Sequence, residues 1–163
     1  MRLDKLTTKF AEALSEAQSL ALANDHAYIE PEHVLVAMLR QEDGPASLLQ
    51  RAGVNVPGLL ASAEAAMHKR PQVQGQDQVQ VGRELVSALQ AAEKESIKRG
   101  DQFIASELFM LALADSKQDI GRIVREHGLT RKSLEAAIDA VRGGQSVNSA
   151  CLLYTSPSPR DRG

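Results

Sequence analysis

A stretch that occurs twice constrains this chain more than anything else in it. Ala27-Tyr28-Ile29-Glu30-Pro31-Glu32-His33-Val34-Leu35-Val36-Ala37-Met38 returns 75 positions later as Gln102-Phe103-Ile104-Ala105-Ser106-Glu107-Leu108-Phe109-Met110-Leu111-Ala112-Leu113. Each copy reads as an aromatic–Ile anchor, a turn and a helix start. Proline suits a first helical turn, where its missing N–H has no partner to lose. Glu32 and Glu107 sit where a helix N-terminus favours negative charge. The same offset pairs Phe10 with Leu85, Leu14 with Leu89, Leu48-Leu49 with Ile123-Val124, Gly53 with Gly128 and Leu59 with Leu134. Apolar positions hold this register without a gap from Phe10 to Ala65, and coincident helical periodicity would not align the turns as well.

The repeat predicts an all-α fold of about eight helices, two four-helix units related by a pseudo-twofold axis. Repeat one covers 2–70, a polar Gln-rich linker 71–79, and repeat two 80–145, the whole forming one domain over 1–145. The first helix is expected from Lys5 to Ala23, with Leu3, Leu6, Phe10, Ala13, Leu14, Ala17 and Ala21 as its buried stripe. The others are expected near Pro31–Gln41, Ser47–Ala52, Val56–Lys69, Gly82–Lys98, Ser106–Asp115, Asp119–Glu126 and Arg131–Arg142. Gly53 and Gly128 stand where left-handed caps are wanted, and Asn55 and Thr130 where N-caps are. From Gly143 the composition changes. Residues 146–163 read as a flexible exit followed, from Ser149, by a tail that shares nothing with either repeat and looks like translated vector or read-through sequence, so Cys151 is not a site.

Composition narrows the function. With 163 residues, 43% of them hydrophobic, the chain can build a real core, and with 3% aromatics that core is aliphatic and alanine-rich. Nineteen basic residues against 21 acidic give a net charge of -2, without the electrostatic footprint of a nucleic-acid binder. No apolar run is long enough to span a bilayer, and Met1-Arg2-Leu3-Asp4 lacks a secretory h-region. A single cysteine excludes a disulfide framework and fits a reducing cytoplasm. Neither a phosphate-binding glycine loop nor a nucleophile elbow is present, and His26, His33, His68 and His127 have no metal-ligand spacing. Only the neighbours Glu32 and His33 suggest acid–base work, as a small hydrolase would need.

Met1-to-Thr7, Tyr28-Ile29-Glu30-Pro31-Glu32-His33, Arg70-Pro71-Gln72-Val73, Lys98-Arg99-Gly100-Asp101 and Phe103-Ile104-Ala105-Ser106-Glu107-Leu108-Phe109 resemble the amino-terminal domain of the ClpB family, bacterial ATP-driven disaggregases. The likeness covers about residues 1–148. It implies a binding module rather than an enzyme, engaging unfolded or aggregated protein clients through a groove on the second repeat. It implies no cofactor within these residues, ATP and Mg belonging to the ATPase modules of the parent hexamer. The implied partners are clients, that ATPase ring and, indirectly, the DnaK chaperone system, with no nucleic acid and no membrane. Polar positions of the family match Thr7, Asp101 and Glu107. The doubled repeat is shared with ClpA and ClpC, which leaves docking of a folded adaptor as the alternative.

Differences between the repeats suggest where such a groove lies. Leu108 answers His33 and Ala91 answers Glu16. If a histidine marks a position that need not be buried, Leu108 is a surplus hydrophobe, and Leu89, Ala91 and Leu108 are expected to line a shallow groove with Asp101 and Glu107 at its rim. The alternative is that Leu108 packs between the halves and Leu89, the counterpart of Leu14, is plain core.

Overall fold

The computed structural model describes residues 3–75, 77–148 and 150, and of Leu3 the backbone alone. The expectations for the side chain of Leu3, for Met1, Arg2, Gln76 and Ser149, and for the tail from Cys151 lie outside the described residues. A short 3-10 turn, Leu3–Lys5, leads into α1 (Thr8–Ala23), β1 (Tyr28–Ile29), α2 (Pro31–Arg40), α3 (Ala46–Arg51) and α4 (Val56–His68). The second set is β2 (Gln80–Val81), α5 (Arg83–Arg99), α6 (Ser106–Ala114), α7 (Asp119–Glu126) and α8 (Arg131–Arg142). Eight helices therefore form among the described residues, each within a few positions of its expected span.

The caps explain where the helices start and stop. Asn55 and Thr130 accept hydrogen bonds from the Gly58 and Ser133 amides, satisfying N–H groups that the first turn leaves open. Gly53 and Gly128 take φ of 85° and 95°, which only glycine adopts without strain. They also meet each other: a Cβ on Gly128 would lie 3.0 Å from the Gly53 carbonyl oxygen. The two repeats thus touch at corresponding turns.

Short strand pairings carry the same symmetry. β1 runs parallel to β2, with Ile29 opposite Val81, and an isolated parallel bridge joins Leu6 to Ile104. A shift of 75 positions converts one pairing into the other, since Leu6 corresponds to Val81 and Ile104 to Ile29. Their hydrogen bonds match as well: the Gly82 amide donates to Ile29 O at 2.9 Å and the Thr7 amide to Ile104 O at 3.1 Å. Each repeat's leading segment therefore pairs with the anchor of the other. α1 packs on α2 and α5 on α6, while α3 against α8 and α4 against α7 join the halves.

The core is one continuous cluster drawn from both repeats, with Phe10 of α1 against Phe109 of α6 at a ring-centroid distance of 5.5 Å. At its centre lie α2 and α6. Every residue from Pro31 to Leu39 and from Ser106 to Ala114 is buried. A helix covered on all sides has no solvent face, so polar residues at its start must be satisfied internally.

His33 shows how. The Glu30 amide donates to His33 Nδ1 at 2.8 Å, which leaves the proton of the neutral ring on Nε2, where it is given to His26 Nδ1 at 2.8 Å. Burial, followed by the charges of His26 and Arg70, lowers the His33 pKa to about 4, and burial lowers that of His26. An unfolded chain holds these protons more readily, so stability is complete above the ordinary value of 6.5 and is lost as pH falls toward about 4. Glu30, whose pKa burial raises, acts in the opposite sense. Acidification through this window is expected to lower unfolding free energy by about 1–3 kcal/mol. Urea titrations across the window should show the slope, and His33→Leu, which copies repeat two, should flatten it.

Candidate functional site

Helix α5 forms one wall of a concavity. Leu85, Leu89, Ala92 and Ser96 form its buried stripe against α6. The adjacent stripe, Glu84, Ala88, Ala91, Glu95 and Lys98, faces a groove of about 830 Å³ whose other wall is Ala112, Leu113, the turn 115–118 and Ile120. Ile97 stands at its lip, 73% exposed, the most exposed large hydrophobe among the described residues. This isoleucine adds exposed apolar surface to a concavity whose lining includes Ala88, Ala91 and Ala112.

The walls are held rigidly. Any Cβ on Gly121 would lie 2.0 Å from Ser116 O, so the absence of a side chain lets the turn rest on α7. Arg125 then donates to the Ala114 and Ser116 carbonyls at 2.9 and 2.8 Å. Arg131, from the start of α8, joins three elements: it reaches Glu95 at 2.6 Å, Asp115 at 2.7 Å and Glu135 at 3.0 Å. Hydrogen bonds to Glu95 and Asp115 hold its guanidinium firmly protonated.

Of the residues singled out from sequence, only Ala91 lies in this groove. Leu108 is fully buried and Leu89 is 6% exposed, so neither offers surface to a ligand. The expectation of a surplus hydrophobe fails at its premise, because His33, the counterpart of Leu108, is fully buried too. A histidine satisfied by a backbone amide and a second histidine marks no exposed position. The same enclosure removes the hydrolase reading: both His33 ring nitrogens are engaged and no substrate can reach them. Among the described residues no group of three or more potential ligands could hold a metal, and no helix is long and apolar enough to cross a membrane.

Thr7, Asp101 and Glu107 do not line the groove wall; they sit where the segment before α1 and the segment after α8 meet the loop before α6. Thr7 caps α1 by accepting from the Phe10 amide at 3.3 Å. Asp101 and Glu107 share Arg142, which donates to them at 2.9 and 2.8 Å. Burial opposes the charge on Arg142, and the two carboxylates more than restore it. Glu32 repeats the arrangement in the first half, accepting from Arg70 at 2.7 Å. Asp101 also accepts from the Val147 amide at 3.0 Å, and Val147 O accepts from Gln102 at 2.8 Å. Val147 is 5% exposed, so the stretch expected as a flexible exit is held down at that point.

Sequence reasoning missed Ile97 and the turn 115–118. Ile97 was legible as an apolar residue off the buried stripe of α5, although its counterpart Leu22, 42% exposed, breaks the stripe of α1 in the same way. The two ends of the α1–α2 pair are tied by Gln41 donating to Lys9 O and Lys9 donating to Glu42 O, at 2.8 and 2.9 Å. Only the folded chain reveals that tie.

Comparison with known proteins extends these observations. Residues 5–127 match the family model described as the Clp repeat (R) N-terminal domain. The chain is 42% identical over 150 residues to the chaperone protein ClpB of Vibrio cholerae, and 39% over 152 residues to that of Pseudomonas putida. These matches cover 91% and 92% of the chain but only 18% of each relative, so the chain spans about a fifth of their length. The N-terminal domain of Hsp104 from Candida albicans superposes with a TM-score of 0.78 at 21% identity, over 90% of this chain and 97% of that one. A ClpV N-domain in complex with VipB peptide superposes at 0.69 and 25% identity, over 84% and 86%.

Two outcomes follow from these placements. Leu108→Ser should destabilise the fold by about 3–5 kcal/mol, visible in thermal melts, because it puts a hydroxyl and a void into a closed core. Asp101→Ala should weaken the fold by about 1.5–3 kcal/mol and speed hydrogen exchange at the Val147 amide. Unchanged exchange there would mean that Asp101 does not hold this segment.

Proposed function

The chain belongs to the Clp repeat N-terminal domain family, and from that premise we propose that it is a binding module of a ClpB-like disaggregase, receiving exposed apolar segments of unfolded or aggregated proteins in the groove between α5 and the α6–α7 turn. The observation that carries this reading is Ile97, 73% exposed, in the lining of the same groove as Ala88 and Ala91. A cleft with an apolar floor and a hydrophobic lip binds by removing client side chains from water, which needs no specific client sequence. The ClpV domain solved with a VipB peptide supports capture of a short segment, and its single defined partner is equally compatible with the second reading, docking of a folded adaptor as in a ClpA- or ClpC-like unfoldase.

Affinity in the first reading is low. Burial of each client side chain contributes about 1.5–3 kcal/mol, and association costs of several kcal/mol oppose it. A dissociation constant of tens of micromolar or weaker follows, on the order of −6 kcal/mol. Several such modules on one ring would gain strength through avidity. In this reading Thr7, Asp101 and Glu107 act on function through the anchoring of the segments before α1 and after α8, and Leu89 and Leu108 through the core behind the groove.

Titration with an unfolded, aggregation-prone protein, followed by two-dimensional NMR, is the direct test. Shifts should cluster on Ala88, Ala91 and Ile97. Ala91→Glu, which copies Glu16 of repeat one, and Ile97→Asp should each weaken binding by about tenfold or more without changing the fold. Shifts elsewhere would refute the groove. Saturable binding of a single folded partner, with indifference to unfolded chains, would favour defined docking instead.

A further inference from the structure

The charges around the groove are unevenly committed. Its carboxylates are largely occupied: Glu95 and Asp115 both hold Arg131, and Glu84 lies 3.8 Å from Arg70. Its cations, Arg131 apart, are not. Arg83, Lys94 and Lys117 are all exposed and line the groove, and no ion-pair partner is found for them among the described residues. Lys98, 72% exposed, has only a 4.0 Å contact with Glu95, which Arg131 already holds. Three uncommitted positive charges therefore border an apolar trough in a chain whose net charge is -2. They stand on both walls, Arg83 and Lys94 on α5 and Lys117 on the opposite turn.

Resting on the groove reading above, we infer that the groove selects apolar segments flanked by carboxylates and discriminates against those flanked by lysine or arginine. The floor supplies burial, which is blind to sequence. The rim supplies the choice, because a flanking Glu or Asp meets an unpaired cation while a flanking Lys meets only like charge. The corresponding positions of repeat one are Thr8, Ser19 and Glu42, which place no cation there, so the preference belongs to repeat two. Exposed pairs are individually weak, and the three act together on the partner's ends rather than on its centre.

Fluorescence anisotropy with three synthetic peptides tests this on the full chain. They share one short apolar centre and differ only in flanks of glutamate, glutamine or lysine. At low salt the glutamate peptide should bind about fivefold more tightly than the glutamine peptide, and the lysine peptide correspondingly more weakly, a spread that shrinks as salt screens the rim. The double variant Lys94→Glu, Lys117→Glu changes only exposed side chains and should reverse the order, with an unchanged circular dichroism spectrum as the control for folding. Equal binding of all three peptides, still abolished by Ala91→Glu, would overturn the charge preference and leave the groove standing. No binding of any peptide would overturn both.

Discussion

Two buried carboxylates organise this fold. Glu32 and Glu107 occupy the first turns of α2 and α6, helices enclosed on every side, and a charge taken out of water there must be neutralised within the protein. Each is met by an arginine from the far end of its own repeat, Arg70 after α4 and Arg142 at the end of α8. These pairs fix where the fourth helix of each repeat ends and bring the following chain back onto the anchor loop. Val73 donates to Asp25 O in one half and Val147 to Asp101 in the other. Their value lies in register more than in net stabilisation, since the cost of desolvating two ions offsets much of their attraction.

On that common frame the halves have diverged. Repeat one encloses a histidine pair, places Glu16 where a groove floor would be, and ties α1 to the turn after α2 through Lys9 and Gln41. Repeat two replaces Glu16 by Ala91 and Glu42 by Lys117, and a cleft remains between α5 and the α6–α7 turn. The repeated frame is common to both halves, and substitutions at corresponding positions leave them with different surfaces. The cross-repeat pairings, Leu6 with Ile104 and Ile29 with Val81, join the halves, because each repeat's anchor is paired with the other's leading segment.

The legible parts of the chain share one physical basis. Apolar spacing reports which face of a helix is covered, so Leu6, Phe10, Ala13, Leu14, Ala17 and Ala21 were identified as a core stripe, and all are buried but Leu14, which is partly buried and packs against the core. Gly53, Gly128, Asn55 and Thr130 were identified because caps are local chemistry, settled within a few residues. Leu108 was misplaced because its environment is not local. Its exposure depends on α6 being surrounded, and comparison with His33 misled because a buried histidine with two partners reads, in sequence, like a surface residue.

The sequence by itself determined the doubled all-α architecture, the helix ends and the family, since each rests on periodicity, capping or residue identity along the chain. Tertiary structure decided which residues face water. Ile97 becomes a groove lip, Asp101 an anchor for Val147, and Arg131 the clamp on three elements, because each meets partners more than 15 positions away in the chain or is left without them. A helix presents several faces, and only the neighbours that pack against it determine which one remains open.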